Sequence, residues 1–140
     1  NSRPAHGVDA VIGLGSGVVD SCHAEDVKVL AVNVAEASEV FDEVEKPKFA
    51  NLRSEIWWGV REALDPNNPE ALALDPIDTQ LHGELSSVKW KFDAKGRIAV
   101  EPKEEMKKRL GGSPDRADSL GLAVHMRKKN AIEDELMVIV

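Results

Sequence analysis

The sequence predicts an α/β fold in one domain, and three stretches carry that expectation. Residues 6–12 form an apolar run with a single acid, suited to a buried strand, and residues 27–34 form a second, valine-rich strand. Residues 88–100 alternate apolar and polar about a central turn, as a hairpin does. The first two strands are separated by a glycine-rich turn and a helical stretch. That arrangement gives a right-handed crossover and a parallel pairing. A chain of 140 residues is long enough for one real core.

Composition narrows the class. Hydrophobic content of 42% and charged content of 31% describe a globular chain without low-complexity bias. A single cysteine, Cys22, excludes an intrachain disulfide framework and a multi-cysteine zinc site. No apolar run approaches the ~20 residues that span a bilayer, so a membrane partner is not expected and the expected location is cytoplasmic. The net charge of −7 argues against a general nucleic-acid binder.

After the first strand comes Gly13-Leu14-Gly15-Ser16-Gly17. A dinucleotide fingerprint would need a small residue where Val18 stands and an acid near Asn33, and no Gly-Lys-Ser/Thr triplet exists for a phosphate loop. What remains is a tight turn without side chains that lets another element or a substrate approach. Residues 35–48 are charged and end near Pro47, which reads as a loop or a short irregular helix. Over residues 49–64, Leu52, Ile56, Val60, Ala63 and Leu64 share one helical face, and Pro66 and Pro69 mark the exit. Trp57 and Trp58 add bulk to that helix; core packing is the ordinary use of such a pair, and stacking on bases is the other.

Residues 71–74 read as a short strand. Asp75 then caps a helix that runs to about Ser87, with Pro76 at its first position and His82 exposed or structural. In the hairpin, Val88, Trp90 and Phe92 face the core. Glu101-Pro102-Lys103 starts a basic helix that stops at Gly111-Gly112, and a second helix runs from Pro114 to about Lys129, with His125 on its surface. The last residues, Leu136-Met137-Val138-Ile139-Val140, are bare and apolar; they pair as a strand or invite association.

Two places concentrate chemistry. Asp115 and Asp118 stand at i and i+3 on one helical face, beside an apolar seam of Ala117, Leu120, Ala123 and Val124. That spacing suits a divalent metal, and equally a capped amphipathic helix whose acids favour its N-terminus. Asp9 lies in an apolar strand, where a carboxylate is costly unless it is paired, hydrogen-bonded or metal-bound, or caps a turn at the strand end. Lys103, Lys107, Lys108, Arg109 and Arg116 fall within fourteen residues and form either a phosphate patch or a solvated face partly neutralised by Glu104 and Glu105.

These stretches resemble one family. Val8-Asp9-Ala10 with its glycine-rich turn resembles the second acidic motif of the C-terminal nuclease domain of tailed-phage terminase large subunits, the DNA-packaging motors. Phe49, Asn51, Arg53 and Glu55, with Trp58, are similar to that family's "F-x-N-x-R-x-E" helix. The stretch from Gly96 through Lys103 and Glu104, then Lys108-Arg109 and Ser113-Pro114-Asp115-Arg116-Ala117-Asp118-Ser119-Leu120, resembles its closing signature.

The resemblance implies an RNase H-like (resolvase-like) nuclease fold, a mixed sheet flanked by helices, here lacking its first strands. Residues 1–129 would be a partial nuclease domain and residues 130–140 a C-terminal tail. Asp9, Asp118 and Asp115 would be both catalytic residues and ligands of two Mg²⁺ or Mn²⁺ ions. Lys103, Lys107, Lys108, Arg109 and Arg116 would meet DNA phosphate. The partners implied are double-stranded DNA, the portal and the small terminase subunit, in the cytoplasm of an infected or lysogenic bacterial host. The family's first catalytic aspartate lies upstream of the position that Asp9 matches, so the chain is expected to be N-terminally truncated. The strand beside Asp9 would then leave a bare sheet edge prone to self-association. Two other functions remain open: a catalytically silent DNA-binding or assembly fragment of the same motor, and a Gly-rich nucleotide-binding domain.

Overall fold

A computed structural model describes residues 6–9 and 29–139, with side chains over residues 31–132. The glycine-rich turn, the helix expected after it and Cys22 lie outside the described residues. The chain divides into two compact units, one formed by Asn1–Val34 with Leu122–Val140 and the other by Ala35–Gly121.

In the first unit, β1 (His6–Asp9) pairs in parallel with β2 (Val29–Val32), with Asp9 opposite Val32 at the end of the ladder. The parallel pairing is the one predicted for the apolar run at residues 6–12 and the valine-rich stretch at residues 27–34. Val32 is buried.

The second unit begins with a turn in which Asp42 Oδ1 accepts the backbone N–H groups of Val44 (3.0 Å) and Lys46 (2.9 Å). Helix α1 (Leu52–Ala63) follows. Its N-cap is Asn51, whose side chain accepts from the N–H of Ser54 (2.9 Å) and from the Ser54 hydroxyl (2.8 Å). Ile56 and Val60, on the face the periodicity predicts, are buried together with Trp57, whereas Leu52, Ala63 and Leu64 of that face are half-buried.

The next helix starts later than the sequence suggests. No strand forms over residues 71–74, and Asp75 caps a turn by accepting the N–H of Ile77 (2.9 Å). Helix α2 is Thr79–Ser87, capped by Asp78, whose carboxylate accepts from Leu81 N–H (3.0 Å). Two Asp residues three apart each suit a cap, and Pro76 fits a turn as well as a helix start.

Strands β3 (Trp90–Phe92) and β4 (Ile98–Val100) form the expected antiparallel hairpin, closed by Gly96 at a φ of 78°. Asp93 Oδ1 organises the turn by accepting from Lys95 and Arg97, each at 2.9 Å. On its other side, β4 exchanges backbone hydrogen bonds with the Lys48–Ala50 segment, and Val100 donates to the Ser54 hydroxyl (3.0 Å). The expectation that Trp90 and Phe92 face the core is corrected: Ile98 and Val100 are buried, whereas Trp90 and Phe92 are exposed. Directly opposed residues share a sheet face, but β3 is the outer strand, so its aromatics lie beyond the layer that covers β4.

Helix α3 (Lys103–Leu110) ends at Gly111 in the left-handed conformation (φ 74°), as the Gly-Gly pair predicts. Helix α4 (Asp115–Ile139) runs through the expected tail instead of stopping near Lys129. Trp57, Val100, Met106 and Ala117 make the core of the second unit, with Leu81, Leu85 and Val88 packed against it. Among the described residues no helix is long and apolar enough to cross a membrane.

Candidate functional site

The site is built around the first turns of α4. Gly111 reverses the chain, Pro114 is fully buried, and the N–H of Ala117 donates to Glu84 Oε2 of α2 at 2.8 Å. A buried carboxylate thus satisfies a free donor of the helix start and complements its dipole. Gln80 holds the other oxygen of Glu84 at 3.2 Å. Arg116 reaches the Asp78 carboxylate at 2.8 Å and so joins the cap of α2 to α4.

With the helix fixed this way, Asp118 projects between two cations. Arg53 of α1 places Nη1 3.3 Å from Oδ1, and Lys103 of α3 places Nζ 2.9 Å from Oδ2. The Arg53 side chain is 8% exposed and that of Asp118 18%. Arg53 is itself held by donating Nε to the Glu101 carbonyl (3.1 Å) and by lying over the Trp57 ring. Asp118 Oδ2 is buried and receives no directed hydrogen bond, although the Lys103 ammonium stands at ion-pair distance. Arg53 therefore fixes one oxygen, while the other keeps lone-pair capacity beside an exchangeable cation.

The remaining candidate residues are distributed differently. Asp115 is exposed and forms no ion pair among the described residues. Asp9 ends β1, in the other unit. Of the basic residues, Lys103 meets Asp118 and Arg116 meets Asp78, while Arg109 forks onto Glu101 through Nε (3.0 Å) and Nη2 (2.6 Å). The Arg109 guanidinium holds the Glu101 carboxyl below its usual range. Lys107 and Lys108 are exposed on α3. Among the described residues no group of three or more His, Cys, Asp or Glu side chains is placed to hold a metal ion.

The sequence reading did not single out Arg53 as the partner of Asp118, nor Glu84 as a cap. A signal for Arg53 existed, because Phe49, Asn51, Arg53 and Glu55 resemble the terminase helix motif, and its parts have separate tasks here. Phe49 bridges to Ile98, Asn51 caps α1, Arg53 holds Asp118 and Glu55 accepts from Ser38 Oγ at 3.2 Å. His125, expected on the surface, is buried with Nε2 unpartnered, and burial beside Lys129 and Lys128 lowers its pKa.

No family model matches the sequence, and comparison with curated proteins yields no match. Comparison with solved structures does. The nuclease domain of the large terminase subunit gp2 of bacterial virus Sf6 superposes with a TM-score of 0.62 at 21% identity, over 81% of this chain and 61% of that one. A point mutant of that domain, with manganese and β-thujaplicinol, gives a TM-score of 0.63 at 22% identity, over 81% and 62% of the two chains. The chain has the fold of a terminase nuclease domain. It spans about three-fifths of the length of those terminase nuclease domains. A further structure of the mutant, with calcium, matches at a TM-score of 0.61.

Proposed function

We propose that this chain is the metal-dependent endonuclease module of a phage large terminase subunit, with an RNase H-like fold, cutting double-stranded DNA during genome packaging. The observation that carries the reading is the likeness in fold to the Sf6 gp2 nuclease domain. The motif residues on α1, α3 and α4 support it, because they converge on one carboxylate, Asp118.

The donor chemistry at Asp118 fits a hard divalent cation. Its Oδ2 is a buried oxygen that accepts no directed hydrogen bond, and the neighbouring Lys103 is the kind of monovalent cation a metal displaces. Asp118 would hold Mg²⁺ or Mn²⁺, with Asp9 and Asp115 assigned as further ligands on the sequence resemblance. When bound, two such ions polarise the phosphodiester and favour ionised water as nucleophile. The chain's own residues prepare the site. Arg53 keeps the Asp118 carboxylate oriented, Lys103 neutralises it until a cation enters, and the exposed Lys107 and Lys108 attract DNA phosphate. Portal and small subunit are the protein partners this reading assigns.

The test is nicking of supercoiled plasmid in Mn²⁺. Cleavage is expected, with a drop of at least roughly a hundredfold in Asp118→Asn and in Asp9→Ala. Cleavage that survives both changes overturns the site. DNA retardation without nicking in any divalent metal supports instead the silent assembly module.

A further inference from the structure

We infer that the outer strand of the β3–β4 hairpin, together with Trp58 and Arg61 of α1, is a stacking platform for the bases of single-stranded DNA. Three aromatic rings form a continuous array there. Trp58 and Trp90 meet edge to face with centroids 4.8 Å apart, and Trp90 meets Phe92 in the same way at 5.4 Å. Trp90 nonetheless remains 43% exposed and Phe92 63% exposed. A cluster that served only to close the core would bury this apolar area, as Trp57 does one position before Trp58.

The charge around the array selects the occupant. The Arg61 guanidinium lies 4.5 Å from the Trp58 ring centroid and 5.8 Å from that of Trp90. Residues 88–100 carry four basic side chains, Lys89, Lys91, Lys95 and Arg97, against one acid, Asp93, in a chain of net charge −7. Arg97 is neutralised by Asp93 at 2.7 Å, which leaves three lysines. Beside Trp90 an open groove of about 750 Å³ is lined by Lys89, Lys91 and Arg109, with Glu101 tied to Arg109 and Glu105 the other acid. Exposed aromatic faces interleaved with cations suit a flexible polyanion whose bases are free to stack. A duplex keeps its bases stacked on each other and offers only phosphates. Lys91 within this three-residue edge strand and Lys89 just before it disfavour strand addition by another protein.

The platform does not rest on the carboxylate site; only the choice of DNA over RNA rests on the proposed nuclease function. The experiment is titration of a fluorescein-labelled oligothymidylate with the full chain in EDTA and low salt, followed by anisotropy and by tryptophan fluorescence. Cleavage is impossible there, so binding and nicking are separate outcomes. Wild type is expected to bind, with quenching of tryptophan emission, and to prefer the single strand over a duplex of equal length. The double variant Trp90→Ala with Phe92→Ala should bind at least about tenfold more weakly. Trp90→Phe should keep most of the affinity but lose most of the quenching. Circular dichroism should find all variants folded, since both side chains are exposed. Absence of wild-type binding, equal binding by the alanine double variant, or equal preference for duplex overturns the platform. Self-association that the double variant abolishes while oligonucleotide binding persists does so too, by assigning the face to protein contact.

Discussion

Asp118 owes its position to residues far away in sequence. Arg53 is 65 positions earlier, yet its guanidinium is what holds and orients a mostly buried carboxylate. The two cations at Asp118 are not equivalent. Removing a buried partner leaves its charge uncompensated, whereas a partly solvated ammonium is replaced by water. Urea unfolding should therefore find Arg53→Met destabilised by about 3 kcal/mol. Lys103→Met, with a side chain 34% exposed, should lose under about 1 kcal/mol. Equal losses would mean that Arg53 is no more buried in effect than Lys103. The carboxylate itself was legible from its i, i+3 spacing with Asp115. Its pairing was not, because no local periodicity connects α1 to α4; the resemblance of Asn51, Arg53 and Glu55 to a motif marked Arg53 without naming its partner.

At the level of elements, sequence patterns located the helices and the hairpin well and their burial less well. Period-2 alternation assigns a sheet face, but burial also depends on which strand is outermost, so Trp90 and Phe92 were placed inside when they lie at the rim. Gly121 raises a related point, for a glycine inside a helix looks like a weakness. Here it is the point where α1 approaches α4: a Cβ at Gly121 would stand 2.8 Å from Ile56 Cγ2. Alanine gains up to about 1 kcal/mol in helix propensity, yet the contact is with the Cγ2 methyl of a β-branched side chain, which cannot rotate away cheaply. Overpacking of this kind typically costs about 1–3 kcal/mol. Gly121→Ala should thus lower stability by about 1 kcal/mol in thermal unfolding, the opposite of its propensity. Adding Ile56→Leu, which removes the Cγ2 methyl by moving the branch from Cβ to Cγ, should recover part of the loss. A Gly121→Ala protein more stable than wild type would show that the two helices simply move apart.

Over the whole molecule, the division into two units was not visible in composition, because α4 runs unbroken from one into the other. The units do, however, differ in how acid should affect them. In the second unit Asp78, Asp93 and Glu101 have lowered pKa values, from the Leu81 N–H, the Arg97 N–H and the Arg109 side chain respectively. The contribution of these acids is complete above the ordinary carboxylate range of about 4 and is lost as pH falls through their lowered values. His125, in the first unit, is lowered by burial and by Lys129 and Lys128. The unfolded chain then binds a proton that the folded one refuses, so stability declines as pH falls below about 6.5 and levels off below the folded value. Stability against pH, measured by urea unfolding, should consequently descend in two stages, one beginning near pH 6.5 and one near pH 4. His125→Leu should flatten the upper stage and leave the lower one in place, since the three carboxylates are untouched. A variant that keeps the upper stage would show that His125 is not its source.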